Sequence, residues 1–252
     1  MLGVTVQASS EAMRLDAAFA AGVWRLRQPW LDETMMALSG FGDGAPRWSV
    51  TALVAVYLVA TRRYRWAVAL VAAMVAAAVF APILKHAFHT PRPSPLYAGV
   101  DAFSFPSGHA TSAAALYIML GVIAAEGLPK PWRLLPFGLA TATVASIGLS
   151  RVYLGAHWLS DVLAGLALGS AIASIAVALA RDAGDGPSQP RGWRDGVAIL
   201  VCLGLVAAIM GPTAIAKAHR LYAPFLEGKG ASARRPPALS IALLTPSSAV
   251  VI

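Results

Sequence analysis

Three polar islands interrupt an otherwise apolar sequence, and each carries residues that could grip an anion or move a proton. The first is Lys85-His-Ala-Phe-His-Thr-Pro-Arg92-Pro93. It sets two cations in a loop whose prolines fix the backbone and lower the cost of ordering it. A lysine at a helix end ordinarily only snorkels toward an interface, so Lys85 gains meaning from what surrounds it. The second island, Phe105-Pro-Ser107-Gly108-His109, opens an apolar run. Ser107 is a natural N-cap, and Gly108 lets a ligand approach the free N–H groups of a helix start, where an anion would fit. His109, with an unperturbed pKa near ~6.5, can donate a proton near neutrality. The third island is Ser150-Arg151-Val-Tyr-Leu-Gly-Ala-His157-Trp-Leu-Ser-Asp161. Four-residue spacing on a helix puts His157 and Asp161 on one face, where the carboxylate can accept from one ring nitrogen and leave the other basic. Gly165 and Gly169 extend that face, as expected of a helix packed closely on another.

The elements that must position these islands are set by composition. Hydrophobic residues make up 58% of the chain and charged ones 13%, with a mean hydropathy of +0.65, far from an ordinary soluble domain. Crossing a bilayer core of about 30 Å takes roughly 20 apolar residues. Charges fence such runs at 48–60, 66–84, 110–125, between Arg133 and Arg151, 157–180 and 196–216. The expectation is an all-α, polytopic transmembrane bundle of five to six spans. Residues 1–42 read as an N-terminal interfacial amphipathic segment, 43–182 as the transmembrane core, and 183–194 as a polar linker. An additional transmembrane helix follows over 195–216, and 217–252 reads as a flexible tail. Alternation of the spans brings all three islands to one membrane face. The opposite loops, 62–65, 126–133 and 181–195, hold eight basic residues, so the positive-inside rule makes them cytoplasmic and the islands external. The net charge of +8 is scattered at span ends, which fits anionic membrane lipids rather than nucleic acid. No cleavable signal is evident at the N-terminus.

Taken together, Lys85-x6-Arg92-Pro93, Pro106-Ser107-Gly108-His109 and Ser150-Arg151-x5-His157-x3-Asp161 resemble the three-part signature of the type 2 phosphatidic acid phosphatase superfamily, in its bacterial integral-membrane branch. The resemblance covers about residues 48–180 and matches every fixed position. Some modules of this kind follow another membrane domain, which would account for the lack of a span before residue 48. The resemblance implies that His157 is a nucleophile giving a phosphohistidine, that Asp161 orients it, and that His109 is the general acid and then base. Lys85, Arg92, Ser107, Gly108 and Arg151 would bind the phosphate. It further implies a lipid phosphatase of the bacterial inner membrane with its site on the outer face. Implied substrates are undecaprenyl pyrophosphate, phosphatidic acid, phosphatidylglycerol phosphate or lipid A phosphate.

At ~4 Å and an effective dielectric near 20, each cation offers about 4 kcal/mol per anionic charge before desolvation, so three cations suit a dianion. No cofactor is expected, and no metal. His86, His89 and His219 lack a cysteine or carboxylate cluster to complete a site, and the lone Cys202 has no partner. Trp30, Trp48, Trp132 and Trp158 read as interfacial anchors. Two other readings use the same residues. A lipid-phosphate transporter or scaffold would bind headgroups without needing the His157–Asp161 pair. An enzyme resembling the vanadate-dependent haloperoxidases would use a similar cradle, although those relatives are soluble. The oligomeric state is left open by the sequence.

Overall fold

The computed structural model describes residues 2–93, 102–182 and 192–227. Eight α-helices make up the described residues: α1 Leu2–Arg25, α2 Pro29–Phe41, α3 Gly44–Ala60, α4 Tyr64–Phe88, α5 Gly108–Ala125, α6 Leu134–Tyr153, α7 Leu159–Asp182 and α8 Trp193–Glu227. Among the described residues, five segments are long and apolar enough to cross a membrane, Tyr64–Phe88, Gly108–Ala125, Lys130–Tyr153, Leu159–Asp182 and Trp193–Tyr222; α3 is apolar but shorter. The all-α bundle expected from the charge fences is present.

α5 is the axis of the bundle. Apolar or small on every side, it is buried along nearly its whole length, and α4, α6, α7 and α8 all pack on it. α7 lies closest. A Cβ at Gly165 would stand 2.6 Å from the Ser107 carbonyl oxygen, and one at Gly169 would overlap the Thr111 carbonyl. Two glycines thus let α7 and α5 approach backbone to backbone, the small-residue packing that replaces hydrophobic drive in lipid.

The two ends of the bundle are chemically distinct. At one end Arg63 bridges Asp195 at 2.6 Å and Glu126 at 2.5 Å, and Tyr57 donates to Asp195 at 2.7 Å. Arg181 stands 3.7 Å from Glu126. This cluster ties the α3–α4 turn to the ends of α5 and α7 and to the start of α8, so loops 62–65 and 126–133 share an end with Arg181 and Asp195, the described ends of the third loop. All three polar islands lie at the other.

Both N-terminal helices pack at the island end. On α1, Asp16 accepts from the Ser160 N–H at 2.9 Å and from its hydroxyl, satisfying one of the unpaired donors at the start of α7. On α2, Met36 joins Tyr153, Leu154, Ala218 and Tyr222 in a small apolar cluster.

One boundary differs from the sequence-based expectation. α8 does not stop at Ala216; it continues through Lys217 to Glu227. Lys217 is paired with Asp43 at 2.6 Å and His219 with Glu33 at 2.8 Å, and Ala218 and Tyr222 are buried against α2. These contacts hold a segment whose polar residues alone suggest a tail. At 1.5 Å per residue its 35 residues reach about 52 Å, well beyond a hydrocarbon core of about 30 Å. Residues 183–191 of the expected linker and 228–252 of the expected tail lie outside the described residues.

Candidate active site

Each island is delivered by the end of a helix. α4 stops at His89, which takes the left-handed conformation at φ 51° and donates its N–H to the Lys85 carbonyl at 3.1 Å. The chain then turns toward the bundle axis, where Pro91 bridges Phe103. Ser104 clasps that loop: its N–H donates to the Thr90 carbonyl at 2.8 Å, and its hydroxyl reaches the Thr90 and Pro91 carbonyls, each at 3.2 Å. Trp158 adds a bond from its indole N–H to the Pro91 carbonyl at 2.9 Å.

Lys85, buried, donates from Nζ to the Phe103 carbonyl at 2.9 Å. Arg92 donates from Nη1 to the Ala156 carbonyl at 2.8 Å, and the same nitrogen stands 3.4 Å from His157 Nε2. Ser107 caps α5 as its residue type predicts, accepting from Ala110 N–H at 3.5 Å, and its own N–H donates to the Asp161 carbonyl at 3.0 Å. A Cβ at Gly108 would meet nothing within 4 Å, so the first turn of α5 is open to a ligand.

Arg151 ends α6 and is buried. Its carbonyl accepts from the N–H groups of Ala156 at 3.0 Å and His157 at 3.2 Å. This closes a tight loop that carries the histidine.

His157 therefore sits in that loop and not on α7, which starts at Leu159. The pairing with Asp161 expected from a shared helical face arises differently. Asp161, fully buried in the first turn of α7, reaches back to accept the Trp158 N–H at 2.9 Å, half of a capping box. The same oxygen stands 3.5 Å from His157 Nδ1. Nε2 is left facing Arg92 and the cavity. Burial, and then the charges of Arg151, Arg92 and Lys85, hold the His157 imidazole well below the usual histidine range, so the ring is neutral at ordinary pH.

Lys85, Arg92, Gly108, His109, Arg151 and His157 all line one cavity of about 620 Å³. Ser107 and Asp161 do not line it but are fully buried next to residues that do, Ser107 preceding Gly108 and Asp161 standing 3.5 Å from His157, so every sequence-derived site residue is brought to one place. Three cations, a helix N-terminus and two imidazoles around such a space can bind a phosphoryl dianion and offer both a nucleophile and a proton.

Residues outside the three islands complete the cavity. Ser39 on α2 accepts from Arg151 Nη1, and the Tyr222 ring on α8 lies 5.7 Å from the Arg151 guanidinium carbon. Gly42 abuts His109: a Cβ there would stand 3.1 Å from His109 Cδ2 and 2.8 Å from Ile147. Asp43, Arg47 and Lys217 also face the cavity. No local pattern marks these residues, because they meet the site only through tertiary packing of α2, α3 and α8. Of the histidines that could suggest a metal, His86 and His89 pack against the Phe103 ring, and His219 pairs with Glu33.

Comparison with known proteins points the same way. The family profile described as PAP2 superfamily matches residues 66–185. The decaprenylphosphoryl-5-phosphoribose phosphatase of Mycobacterium tuberculosis is 36% identical over 153 residues, spanning 59% of this chain and 80% of that protein. Phosphatidylglycerophosphatase B of Bacillus subtilis is 28% identical over 158 residues, 61% of this chain and 77% of that protein. Among solved structures, the transmembrane PAP2 type phosphatidylglycerolphosphate phosphatase of Bacillus subtilis superposes with a TM-score of 0.62 at 24% identity, covering 68% of this chain and 87% of that one. That superposition speaks to the fold.

Proposed function

Because this chain belongs to the PAP2 superfamily of membrane phosphatases, we propose that it hydrolyses a lipid phosphomonoester or lipid pyrophosphate through a phosphohistidine on His157. The observation that carries this reading is the cavity itself. A neutral His157 with Nε2 turned to the cavity, backed by Asp161, faces the same space as Lys85, Arg92, Arg151 and His109 at the end of an integral membrane bundle. A substrate can keep its tail in lipid while its headgroup reaches the cations.

In the first step Nε2 of His157 attacks phosphorus, the N–P bond forms and the P–O bond to the leaving group breaks. His109 gives its proton to the departing oxygen. Asp161, 3.5 Å from Nδ1, holds the ring and offsets the positive charge that develops on it. Lys85, Arg92 and Arg151, with Ser107 and the Gly108 N–H, hold the phosphoryl oxygens and favour the charge of the transition state over that of the ground state. In the second step water attacks phosphorus, His109 takes its proton, the N–P bond breaks and inorganic phosphate leaves. The cations meet the charge that a divalent ion would otherwise neutralise, so the reaction proceeds without metal. With eight basic residues in the loops of the opposite end, the site faces the periplasmic side of a bacterial inner membrane. Undecaprenyl pyrophosphate, phosphatidic acid, phosphatidylglycerol phosphate and lipid A phosphate are the substrate candidates.

Purified protein in detergent, with and without a chelator, tests this on a panel of those lipids. Phosphate release that survives chelation and disappears in His157→Ala supports the reading. Tight binding of lipid phosphate with no release from any panel member would instead support a transporter or scaffold.

A further inference from the structure

The cavity is larger than one phosphoryl group needs, and its remaining wall is charged. Arg47, in the first turns of α3, donates from Nε to the Asp43 carbonyl at 3.0 Å. Its two terminal nitrogens meet no acceptor among the described residues, yet Arg47 lines the cavity within electrostatic range of His109 and Arg151. Asp43, one turn earlier, spends one carboxylate oxygen on the Gly44 N–H at 2.9 Å and the other on Lys217 at 2.6 Å. The group is therefore net cationic, with the open donor fork of Arg47 as its unspent part. Such a planar fork is suited to phosphate oxygens.

Where this cation stands relative to the chemistry decides what it would bind. The chain reaches Asp43 directly from Gly42, whose backbone packs on His109, so Arg47 adjoins the proton donor and not the nucleophile. The leaving group must lie beside the proton donor. Gly42, Asp43, Arg47 and Lys217 all lie outside 66–185, the part matched by the family profile.

We propose that Arg47, braced by the Asp43–Lys217 pair, forms a leaving-group subsite for a second phosphoryl group, so that the enzyme prefers lipid diphosphates to lipid phosphomonoesters. The inference rests on the phosphatase reading above. With a diphosphate, the terminal phosphorus occupies the cradle of Lys85, Arg92 and Arg151. The His157 Nε2–P bond forms, the bridging P–O bond breaks, and the His109 proton goes to the bridging oxygen, which stays with the lipid monophosphate. That leaving group is an anion, and Arg47 meets its charge. A phosphomonoester releases a neutral alcohol there and gains nothing from the cation.

The test compares wild type, Arg47→Gln and Arg47→Lys in detergent on farnesyl diphosphate and on phosphatidic acid. Losing a charge-assisted hydrogen bond in the transition state, Arg47→Gln should lower kcat/KM for the diphosphate by about 30-fold. The loss for phosphatidic acid should stay under about 3-fold, and Arg47→Lys should recover much of the diphosphate rate. Equal losses on both substrates, or no loss on either, overturn the proposal. A binding measurement that needs no turnover separates this from failure of the phosphatase reading. Methylenediphosphonate, whose carbon bridge cannot be hydrolysed, should bind wild type more tightly than Arg47→Gln, with orthophosphate affinity unchanged. Equal affinity of both proteins for methylenediphosphonate rejects the subsite even if no lipid is hydrolysed.

Discussion

Replacing Asp161 with Asn isolates what the buried carboxylate does for His157. Asn keeps the volume of the side chain in a fully buried position, and its carbonyl oxygen can still accept the Trp158 N–H that Asp161 holds at 2.9 Å. What disappears is one negative charge 3.5 Å from His157 Nδ1. A unit charge at that distance and an effective dielectric near 20 is worth about 5 kcal/mol. In the ground state His157 is neutral and feels little of this; during attack on phosphorus the ring becomes positive and feels most of it. The difference falls on the barrier. At 1.36 kcal/mol per decade, Asp161→Asn should lower kcat by about 10³-fold with a small change in KM. Phosphate release by the purified variant, with thermal unfolding in the same detergent as the control for folding, measures this. A variant that folds normally and keeps more than a tenth of wild-type kcat would refute the orienting and charge-balancing role.

Three further outcomes follow from the same geometry. Burial and three cations depress the His157 pKa, so protonation blocks Nε2 only in acid: the acid limb of kcat/KM against pH should lie well below 6.5, and a limb at or above 6.5 would contradict a depressed nucleophile. Ser39→Ala removes the hydroxyl that accepts from Arg151 and should raise KM by about 10-fold with little effect on the unfolding temperature; an unchanged KM would show that Tyr222 and burial suffice to hold Arg151. Gly165→Ala places a methyl 2.6 Å from the Ser107 carbonyl and should destabilise the protein by about 1–3 kcal/mol, read as a lower unfolding temperature together with lost activity; a variant as stable and active as wild type would mean that α7 and α5 have room to part.

The helices were legible in the sequence because the charges fence the apolar runs so sharply: 64–88 and 159–182 fall close to where the charges put them. The shared end of the three islands followed from counting crossings, and the Arg63 cluster at the opposite end bears that alternation out. The Gly165 and Gly169 face was likewise readable, since lipid leaves few reasons for two glycines four apart other than close packing. The exact conformation around His157 was not. A four-residue spacing fits a helical face, but it also fits a loop residue beside a capping carboxylate, and residue types alone do not separate the two. The end of α8 is not legible in the sequence, because Lys217 and His219 look like the start of a solvated tail unless Asp43 and Glu33 stand opposite them. Ser39, Gly42 and Arg47 carry no local signature, and only the packing of α2 and α3 against α5 and α6 reveals them.

Covalent chemistry at His157 can be caught by rapid quenching. Wild-type protein turning over a lipid phosphate labelled at phosphorus is stopped in alkali, and the label is located by peptide mass spectrometry. The account predicts an acid-labile, alkali-stable phosphoryl group on His157 that is lost in His157→Ala. Steady turnover with no labelled protein, or with the label on any other residue, would contradict it.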